Sequence, residues 1–174
     1  MKIIIIGCPG AGKSILTRQI NEFLNYPVLH LDKVYHTKGK EHISSEELVN
    51  KIDNFTKEHS KWIIDGNYLS TLKMRAELAD TIILMNIPRD ICLKNARDRE
   101  EEFRRTGVNP EDMAKDFDAN MSDEFTTFIE TFEENTLPKV KEVLSQFPNK
   151  NIVIINNYDE KKEFIERFKT KNLY

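Results

Sequence analysis

A glycine-rich loop near the start of the chain has the residue types and the spacing that bind phosphate. Residues 7–14 read Gly-Cys-Pro-Gly-Ala-Gly-Lys-Ser and match the pattern G-x-x-x-x-G-K-[ST] at every fixed position. In this pattern the backbone N–H groups form an anion nest, the lysine reaches the β and γ phosphates of ATP or a close relative, and the serine hydroxyl binds Mg²⁺. The pattern therefore predicts nucleotide contacts from Gly7, Pro9, Gly10, Ala11, Gly12, Lys13, Ser14 and Ile15.

The residues on either side of this loop favour phosphate binding over a simple glycine turn with a capping serine. Residues 2–6 are Lys-Ile-Ile-Ile-Ile, which predicts a buried parallel strand that ends at the first glycine. From Lys13 onward the apolar residues follow a helical period. A loop between a strand and a helix is the context in which the pattern binds phosphate, because the helix directs its positive dipole end at the same anion.

Two carboxylates are predicted at the ends of other strands. Asp65 ends the run 62–64 and precedes Gly66, so it is the candidate for a second Mg²⁺ contact through water; the alternative is a turn-forming residue. Asp32 comes at the end of a short strand predicted over 27–31, at the edge of the sheet where ligands bind. A carboxylate there would orient a substrate hydroxyl or accept its proton, and the alternative is a helix or loop cap.

The other candidates for catalysis and substrate binding are arginines and tyrosines. The segment after the fourth predicted strand holds Arg97, Arg99, Arg104 and Arg105. Positive charge there would close over the transferring phosphoryl group as a small lid, over roughly residues 97–120, and we expect Arg99 and Arg104 to be catalytic. The glutamates at 100–102 supply the alternative of solvated ion pairs. The pocket for the acceptor is expected around Asp32, Tyr35, Tyr68 and Arg75.

Strands alternate with helices along the whole chain, which predicts the elements that must position these residues. The strands are predicted at residues 2–6, 27–31, 61–65, 81–86 and 151–155. Such alternation is typical of a doubly wound α/β sheet, with parallel strands and helices on both faces. No repeat, low-complexity tract or linker interrupts it, so residues 1–174 are predicted to form one domain.

Composition argues against several classes of function. A net charge of −3 lacks the basic surplus of most nucleic-acid binders, so direct nucleic-acid contact is not expected. No run approaches the roughly 20 apolar residues of a membrane span, and no signal peptide is predicted, so we expect a cytoplasmic protein. The spacing of His30, His36 and His42 matches no standard zinc site. Residues 156–159 lack the lysine of the N-K-x-D motif, which argues against a GTPase.

Several segments resemble the DNA topology modulation proteins, relatives of adenylate kinase in the P-loop kinase group. The resemblance rests on residues 7–14, 31–36, 62–68, Thr71, Leu72, Arg75, 79–83, Pro88, Arg89, Cys92, Leu93, 110–114 and 123–125. It implies a three-layer P-loop NTPase fold with five parallel strands in the order 2-3-1-4-5 and a small helical lid. It also implies ATP and Mg²⁺ as ligands, with Asp65 at the magnesium position and Arg75 at an acceptor phosphate.

The sequence departs from adenylate kinases at two places. Gly66-Asn67-Tyr68 stands where those enzymes have Gly-Phe-Pro-Arg, so the close arginine for an AMP acceptor is missing. Asn95 stands where an arginine is expected after Pro88, although Arg99 keeps its place. The sequence predicts a kinase of a small molecule or nucleotide with an unidentified acceptor. The alternative is a nucleotide-dependent regulator of DNA topology without kinase turnover, and a third, a purely structural kinase-like fold, fits poorly with the intact phosphate loop.

Overall fold

Five parallel strands form one sheet in the order β2-β3-β1-β4-β5, as predicted. A computed structural model describes residues 1–37, 41–109, 111–114, 118 and 120–172. The strands are β1 (Lys2–Gly7), β2 (Val28–His30), β3 (Trp62–Asp65), β4 (Thr81–Met85) and β5 (Asn151–Ile155). The isoleucine-rich strands β1, β3 and β4 occupy the middle of the sheet and are almost entirely buried, because helices cover a doubly wound sheet on both faces.

Helices alternate with the strands and pack around the sheet. They are α1 (Lys13–Leu24), α2 (Leu31–Tyr35), α3 (Ser45–Glu58), α4 (Leu69–Leu78), α5 (Arg89–Thr106), α6 (Asp123–Glu130), α7 (Phe132–Asn135), α8 (Leu137–Ser145) and α9 (Tyr158–Asn172). Helix α1 packs on α9, and α4 packs on α8. None of the helices in the described part of the chain is both long and apolar enough to cross a bilayer.

Local signals account for where several helices begin and end. Ser44 caps α3: its side chain accepts a hydrogen bond from the N–H of Glu47, whose carboxylate accepts one from the N–H of Ser44. Helix α5 ends at Gly107, which has the left-handed φ of 69° that glycine adopts at little cost. Pro138 lies in the first turn of α8, so it starts a helix rather than kinking one.

The second predicted strand is shorter than expected. The strand predicted over 27–31 stops at His30, because Leu31 already begins α2. Further along the chain, the boundary between α6 and α7 lies at Thr131. Residues 111–114, 118 and 120 form turns and irregular backbone, and the rest of the segment 111–120 lies outside the described residues.

The segment predicted as a lid is partly the end of a helix. Residues 97–106 continue α5, which ends at Gly107. Met113 is buried, and Asp112 is nearly so, with its Oδ1 atom 3.7 Å from Nη1 of Arg18 on α1. The described part of the segment therefore contacts the helix that follows the phosphate loop.

Candidate active site

The predicted phosphate loop connects the central strand β1 to helix α1. Gly10 lies in the loop with a φ of 81°, and a Cβ atom at this position would lie 2.1 Å from the carbonyl oxygen of Cys92. Only glycine fits both the left-handed backbone and this close approach to α5. Gly12 precedes α1, whose first turn has no acidic residue and no side-chain cap. The N-terminal N–H groups of α1 are thus left for an anion, which the helix dipole also favours.

The two side chains of the loop that the pattern assigns to phosphate and metal are Lys13 and Ser14, which occupy the first turn of α1. The Nζ atom of Lys13 donates hydrogen bonds to the carbonyl oxygens of Gly7, at 3.1 Å, and Cys8, at 3.0 Å. An ammonium group has three donors, so these two contacts hold the side chain along the loop and leave a third for phosphate oxygen. Ser14 is partly exposed and lies next to Lys13.

Asp65 lies at the end of β3, is 3% exposed, and has two side-chain partners. Oγ1 of Thr17 donates to its Oδ2 at 2.7 Å, and Nδ1 of His30 lies 2.8 Å from Oδ1. Burial alone would lower the pKa of His30, but the hydrogen bond and the charge of Asp65 outweigh burial and raise this pKa. Neither partner was predicted, although Thr17 lies one helical turn after Lys13 and His30 pairs with Asp65 in the register of β2 and β3.

Ser14 and Asp65 fit a Mg²⁺ ion that takes most of its ligands from phosphate and water. Within the described residues no group of three His, Cys, Asp or Glu side chains forms an all-protein metal site. Mg²⁺ in nucleotide sites is typically bound through one or two protein oxygens, substrate phosphates and several waters. A carboxylate has about four lone-pair sites, so Asp65 keeps capacity for a metal-bound water beside its contacts with Thr17 and His30.

The predicted acceptor residues Asp32, Tyr35 and Tyr68 come together at the end of β2. Asp32 lies in the first turn of α2, and the hydroxyl of Tyr68 donates to its Oδ1 at 2.7 Å. Burial and the nearby Asp32 raise the pKa of Tyr68, so the phenol stays neutral. The ring of Tyr35 lies 4.8 Å from that of Tyr68 and stacks on His42 at the same centroid distance. A carboxylate and a group of aromatic rings thus form one wall.

Two short segments of chain hold each other at this end of the sheet. Asp65 contacts His30, and three residues later Tyr68 contacts Asp32, so one segment binds both polar residues that flank Leu31. Between them, Gly66 packs on Leu31, where an added Cβ would lie 2.7 Å from the Cβ of the leucine. This close approach requires glycine and fixes the spacing of the two carboxylates.

Arg75 does not lie where the sequence predicted it. Its side chain is completely buried, and its guanidinium donates to the carbonyl oxygens of Gly66, at 3.1 Å, and Tyr68, at 2.9 Å, and to Oγ1 of Thr71, at 3.1 Å. Burial lowers the pKa of Arg75 to about 10, so the group still carries its charge at neutral pH. We therefore correct its predicted role: Arg75 supports the backbone that presents Tyr68, and it is not exposed to an acceptor.

The two predicted lid arginines have different surroundings. Arg104 is exposed, and it pairs with Glu100 at 3.0 Å and donates to Oδ1 of Asn120 at 3.1 Å, which agrees with the alternative of an ordinary surface ion pair. Arg99 is partly buried and makes no hydrogen bond or ion pair within the described parts of the chain. Exposed ion pairs contribute little to stability, so the pairing leaves Arg104 able to change partners.

Asn95 and Tyr158 contact the phosphate loop, and the sequence pointed to neither of these contacts. The side-chain amide of Asn95 donates to the carbonyl oxygen of Gly10 and to the hydroxyl of Tyr158, both at 2.8 Å. A Cβ atom on Gly12 would lie 3.8 Å from the Tyr158 ring. Asn95, at the position where the resemblance predicts an arginine, thus ties the loop to α5 and α9.

Solved structures with a similar fold are kinases. A deoxyadenosine kinase from M. mycoides, solved with dCMP and a flexible dCDP, is 15% identical with a TM-score of 0.53, and the match covers 98% of both chains. A shikimate kinase from Bacteroides thetaiotaomicron is 16% identical with a TM-score of 0.59, over 98% of this chain and 97% of that one. A shikimate kinase from Acinetobacter baumannii, in complex with shikimate, is 13% identical with a TM-score of 0.56, over 99% and 92%.

Sequence comparison gives no corresponding match. No protein-family model matches the chain, and neither does any curated protein. The resemblance to the DNA topology modulation proteins therefore stays a prediction from the residues. At identities of 13–16% the similarity to solved structures concerns the fold. The five parallel strands, their order and the helices around them show that this chain has the fold of the P-loop kinases.

Proposed function

We propose that this protein is a phosphotransferase, which moves the γ-phosphoryl group of Mg·ATP to an acceptor that is a small molecule or a nucleotide. The observation that supports the proposal best is the placement of two groups at one edge of the sheet. The phosphate loop follows β1, and Asp32 follows β2, with only β3 between those strands. Ligands bind at the carboxyl edge of an α/β sheet. At this edge the phosphate loop would bind the phosphoryl donor, and Asp32 would bind the acceptor.

The nucleotide end would act through backbone amides and Lys13. In-line transfer breaks the bond between the γ phosphorus and the bridging oxygen, forms a bond to the acceptor oxygen and releases ADP. Lys13 and the N–H groups of the loop and of α1 would stabilise the charge on the phosphate oxygens. Mg²⁺, held by Ser14 with Asp65 acting through water, would supply further neutralisation of that charge.

The acceptor end would act through Asp32. Its carboxylate would orient the acceptor and take the proton of an attacking hydroxyl. Because Tyr68 is held through its backbone by Arg75 and through its hydroxyl by Asp32, the carboxylate has a fixed orientation before the acceptor binds. Arg99 and Arg104 of the lid segment would add positive charge when that segment closes over the phosphates.

Release of ADP from Mg·ATP tests the proposal directly. The wild type is assayed with nucleoside monophosphates, nucleosides and small hydroxylated metabolites as acceptors, beside Lys13→Ala. Acceptor-dependent ADP formation that disappears in Lys13→Ala is the expected result. Lys57→Ala is the matched control, because it removes an exposed lysine that pairs only with Asp53 on α3 in the described structure.

A flat panel would contradict the kinase proposal if ATP still binds. Binding is followed through thermal stability, since a ligand at 100 times its dissociation constant adds about 2.7 kcal/mol to the free energy of unfolding. ATP that stabilises the wild type without turnover on any acceptor would indicate the predicted alternative, a nucleotide-dependent regulator. If ATP does not stabilise the protein at all, the prediction of a nucleotide-binding site is contradicted.

A further inference from the structure

We infer that the acceptor is an uncharged hydroxyl compound, such as a nucleoside or a neutral sugar, rather than one that presents a phosphate or carboxylate to Asp32. The inference rests on the proposed function and names the acceptor class for the same site. It is drawn from the charges around Asp32 and from the aromatic wall formed by Tyr35, His36, His42 and Tyr68.

The charge of Asp32 has no cationic partner in the described structure. The one side chain that contacts its carboxylate there is the Tyr68 phenol, at 2.7 Å. A phenol that keeps its proton supplies a hydrogen bond but no positive charge. An anionic group that approached this carboxylate would meet like charge in a partly buried place, where water screens poorly. A hydroxyl group would instead donate to the carboxylate.

The nearest buried cation is already balanced. Arg75 is fully buried, its three hydrogen bonds are to groups of the protein, and the negative charge of Asp65 acts on it. Asp65 is itself buried and bound to His30. The charges of Arg75 and Asp65 therefore offset each other, and the guanidinium faces the backbone of residues 66–68. It is not presented to a phosphate acceptor beside Asp32.

The aromatic side chains near Asp32 include a histidine whose burial disfavours the charged form. Burial lowers the pKa of His36, which leaves its imidazole uncharged at neutral pH. Tyr35 lies between His42, which stacks on it, and Tyr68, whose ring is tilted against it. Rings that hold each other in this way give a rigid, weakly polar surface with one carboxylate at its edge. That combination suits the ring and the hydroxyl groups of a nucleoside or a sugar.

Matched pairs of acceptors that differ by one phosphate test the inference. Isothermal titration is done with Mg²⁺ and a non-hydrolysable ATP analogue present, using adenosine against AMP, deoxycytidine against dCMP, and methyl glucoside against methyl glucoside 6-phosphate. At least one neutral member is expected to bind ten or more times more tightly than its phosphorylated counterpart. Selective binding of adenosine or deoxycytidine would indicate a nucleoside acceptor, and selective binding of methyl glucoside would indicate a neutral sugar.

Two variants connect the preference to the carboxylate. Asp32→Asn removes the charge and keeps the shape, so the preference for the neutral member is expected to fall at least fivefold. Asp53→Asn removes the same charge from an exposed site on α3 and is expected to leave the preference unchanged. An unchanged preference in Asp32→Asn overturns the inference, because the discrimination would then come from elsewhere.

The remaining outcomes distinguish this inference from the proposed function. Tighter binding of the phosphorylated members, or binding of neither member of any pair, overturns the inference. Turnover on phosphorylated acceptors would also overturn the inference, while the kinase proposal would stand. Selective binding of neutral members without ADP formation would support the inference on the site and contradict the kinase proposal.

Discussion

The two ends of the site are built in different ways. At the nucleotide end the loop of residues 7–14 uses its own backbone, the start of α1 and one lysine, all within a short stretch of chain. At the acceptor end the side chains come from separate segments, and Asp32 and its partner Tyr68 are 36 residues apart. In the proposed reaction, backbone recognition would serve any nucleoside triphosphate, whereas the side-chain wall would set which acceptor fits. Substitutions at the two ends should therefore fail in different ways.

The largest effect is expected for Gly10→Ala at the nucleotide end. A Cβ atom there would lie 2.1 Å from the carbonyl oxygen of Cys92, in a backbone with a φ of 81°. The loop and α5 must move apart, so ATP should no longer raise the melting temperature. The left-handed backbone alone costs roughly 1–2 kcal/mol, and the clash adds to it, so the free energy of unfolding should fall by more than that. Calorimetry with and without Mg·ATP measures both effects.

Gly107→Ala is the control for Gly10→Ala. Gly107 also has a left-handed φ, of 69°, but nothing lies within 4 Å of a Cβ atom added there. This variant should lose only roughly 1–2 kcal/mol, the cost of left-handed backbone, and should keep its response to ATP. Equal effects of the two substitutions would show that the approach of the loop to α5 does not matter for nucleotide binding.

Arg75→Lys is expected to have the second largest effect and to act on stability. A lysine cannot reproduce the contacts of the planar guanidinium with Gly66, Tyr68 and Thr71. Losing buried, charge-assisted hydrogen bonds should lower the free energy of unfolding by about 2–4 kcal/mol, measured by urea denaturation. The KM for ATP should change little, because the phosphate loop is not touched.

The outcome for Arg75→Lys also decides between the two roles considered for this residue. Arg97→Lys is the control, since Arg97 lies on an exposed part of α5. A variant that kept its full stability but lost affinity for an anionic acceptor would restore Arg75 as a substrate contact. Such a result would contradict its burial behind the 66–68 loop.

Most of the fold and the nucleotide end could be predicted from the sequence because their signals are local. Short apolar runs indicated the strands, and the spacing of residues 7–14 indicated the loop. The contacts between Asp65 and His30, and between Asn95 and Gly10, join residues 35 and 85 positions apart. Such pairs depend on how the strands and helices pack, and the residue types alone do not select them.

Arg75 shows why sequence position does not establish a catalytic role. Its place after the third strand and its charge suggested an anion contact, and both observations are correct. They do not tell whether the guanidinium faces an acceptor beside Asp32 or the backbone of residues 66–68. The orientation follows from the carbonyl oxygens of Gly66 and Tyr68, which lie in a buried place and need hydrogen-bond donors there.

Tyr68→Phe is expected to impair the acceptor end and to leave the nucleotide end intact. The substitution removes the hydroxyl that contacts Asp32 and keeps the ring beside Tyr35. Because Asp32 loses its fixed orientation, kcat is expected to fall about tenfold with the KM for ATP unchanged. Steady-state kinetics with the acceptor found by ADP release measures this. Tyr26→Phe, which removes another phenol at a distance from the site, is the control, and an equal fall of kcat in both variants would contradict a role through Asp32.

The smallest effect on folding is expected for Arg104→Ala, and it tests whether the lid takes part in the reaction. Arg104 is exposed and pairs with Glu100 and Asn120, so its loss should leave the urea midpoint unchanged within error. If the lid closes over the phosphates, kcat should nevertheless fall several-fold, and Arg99→Ala should show a larger fall because Arg99 is free of ion pairs in the described structure.

Arg105→Ala is the matched control, since Arg105 pairs with Glu102 on the same exposed helix end. Equal kcat values for the wild type and all three variants would leave these arginines as surface residues and would confine catalysis to the phosphate loop and Asp32.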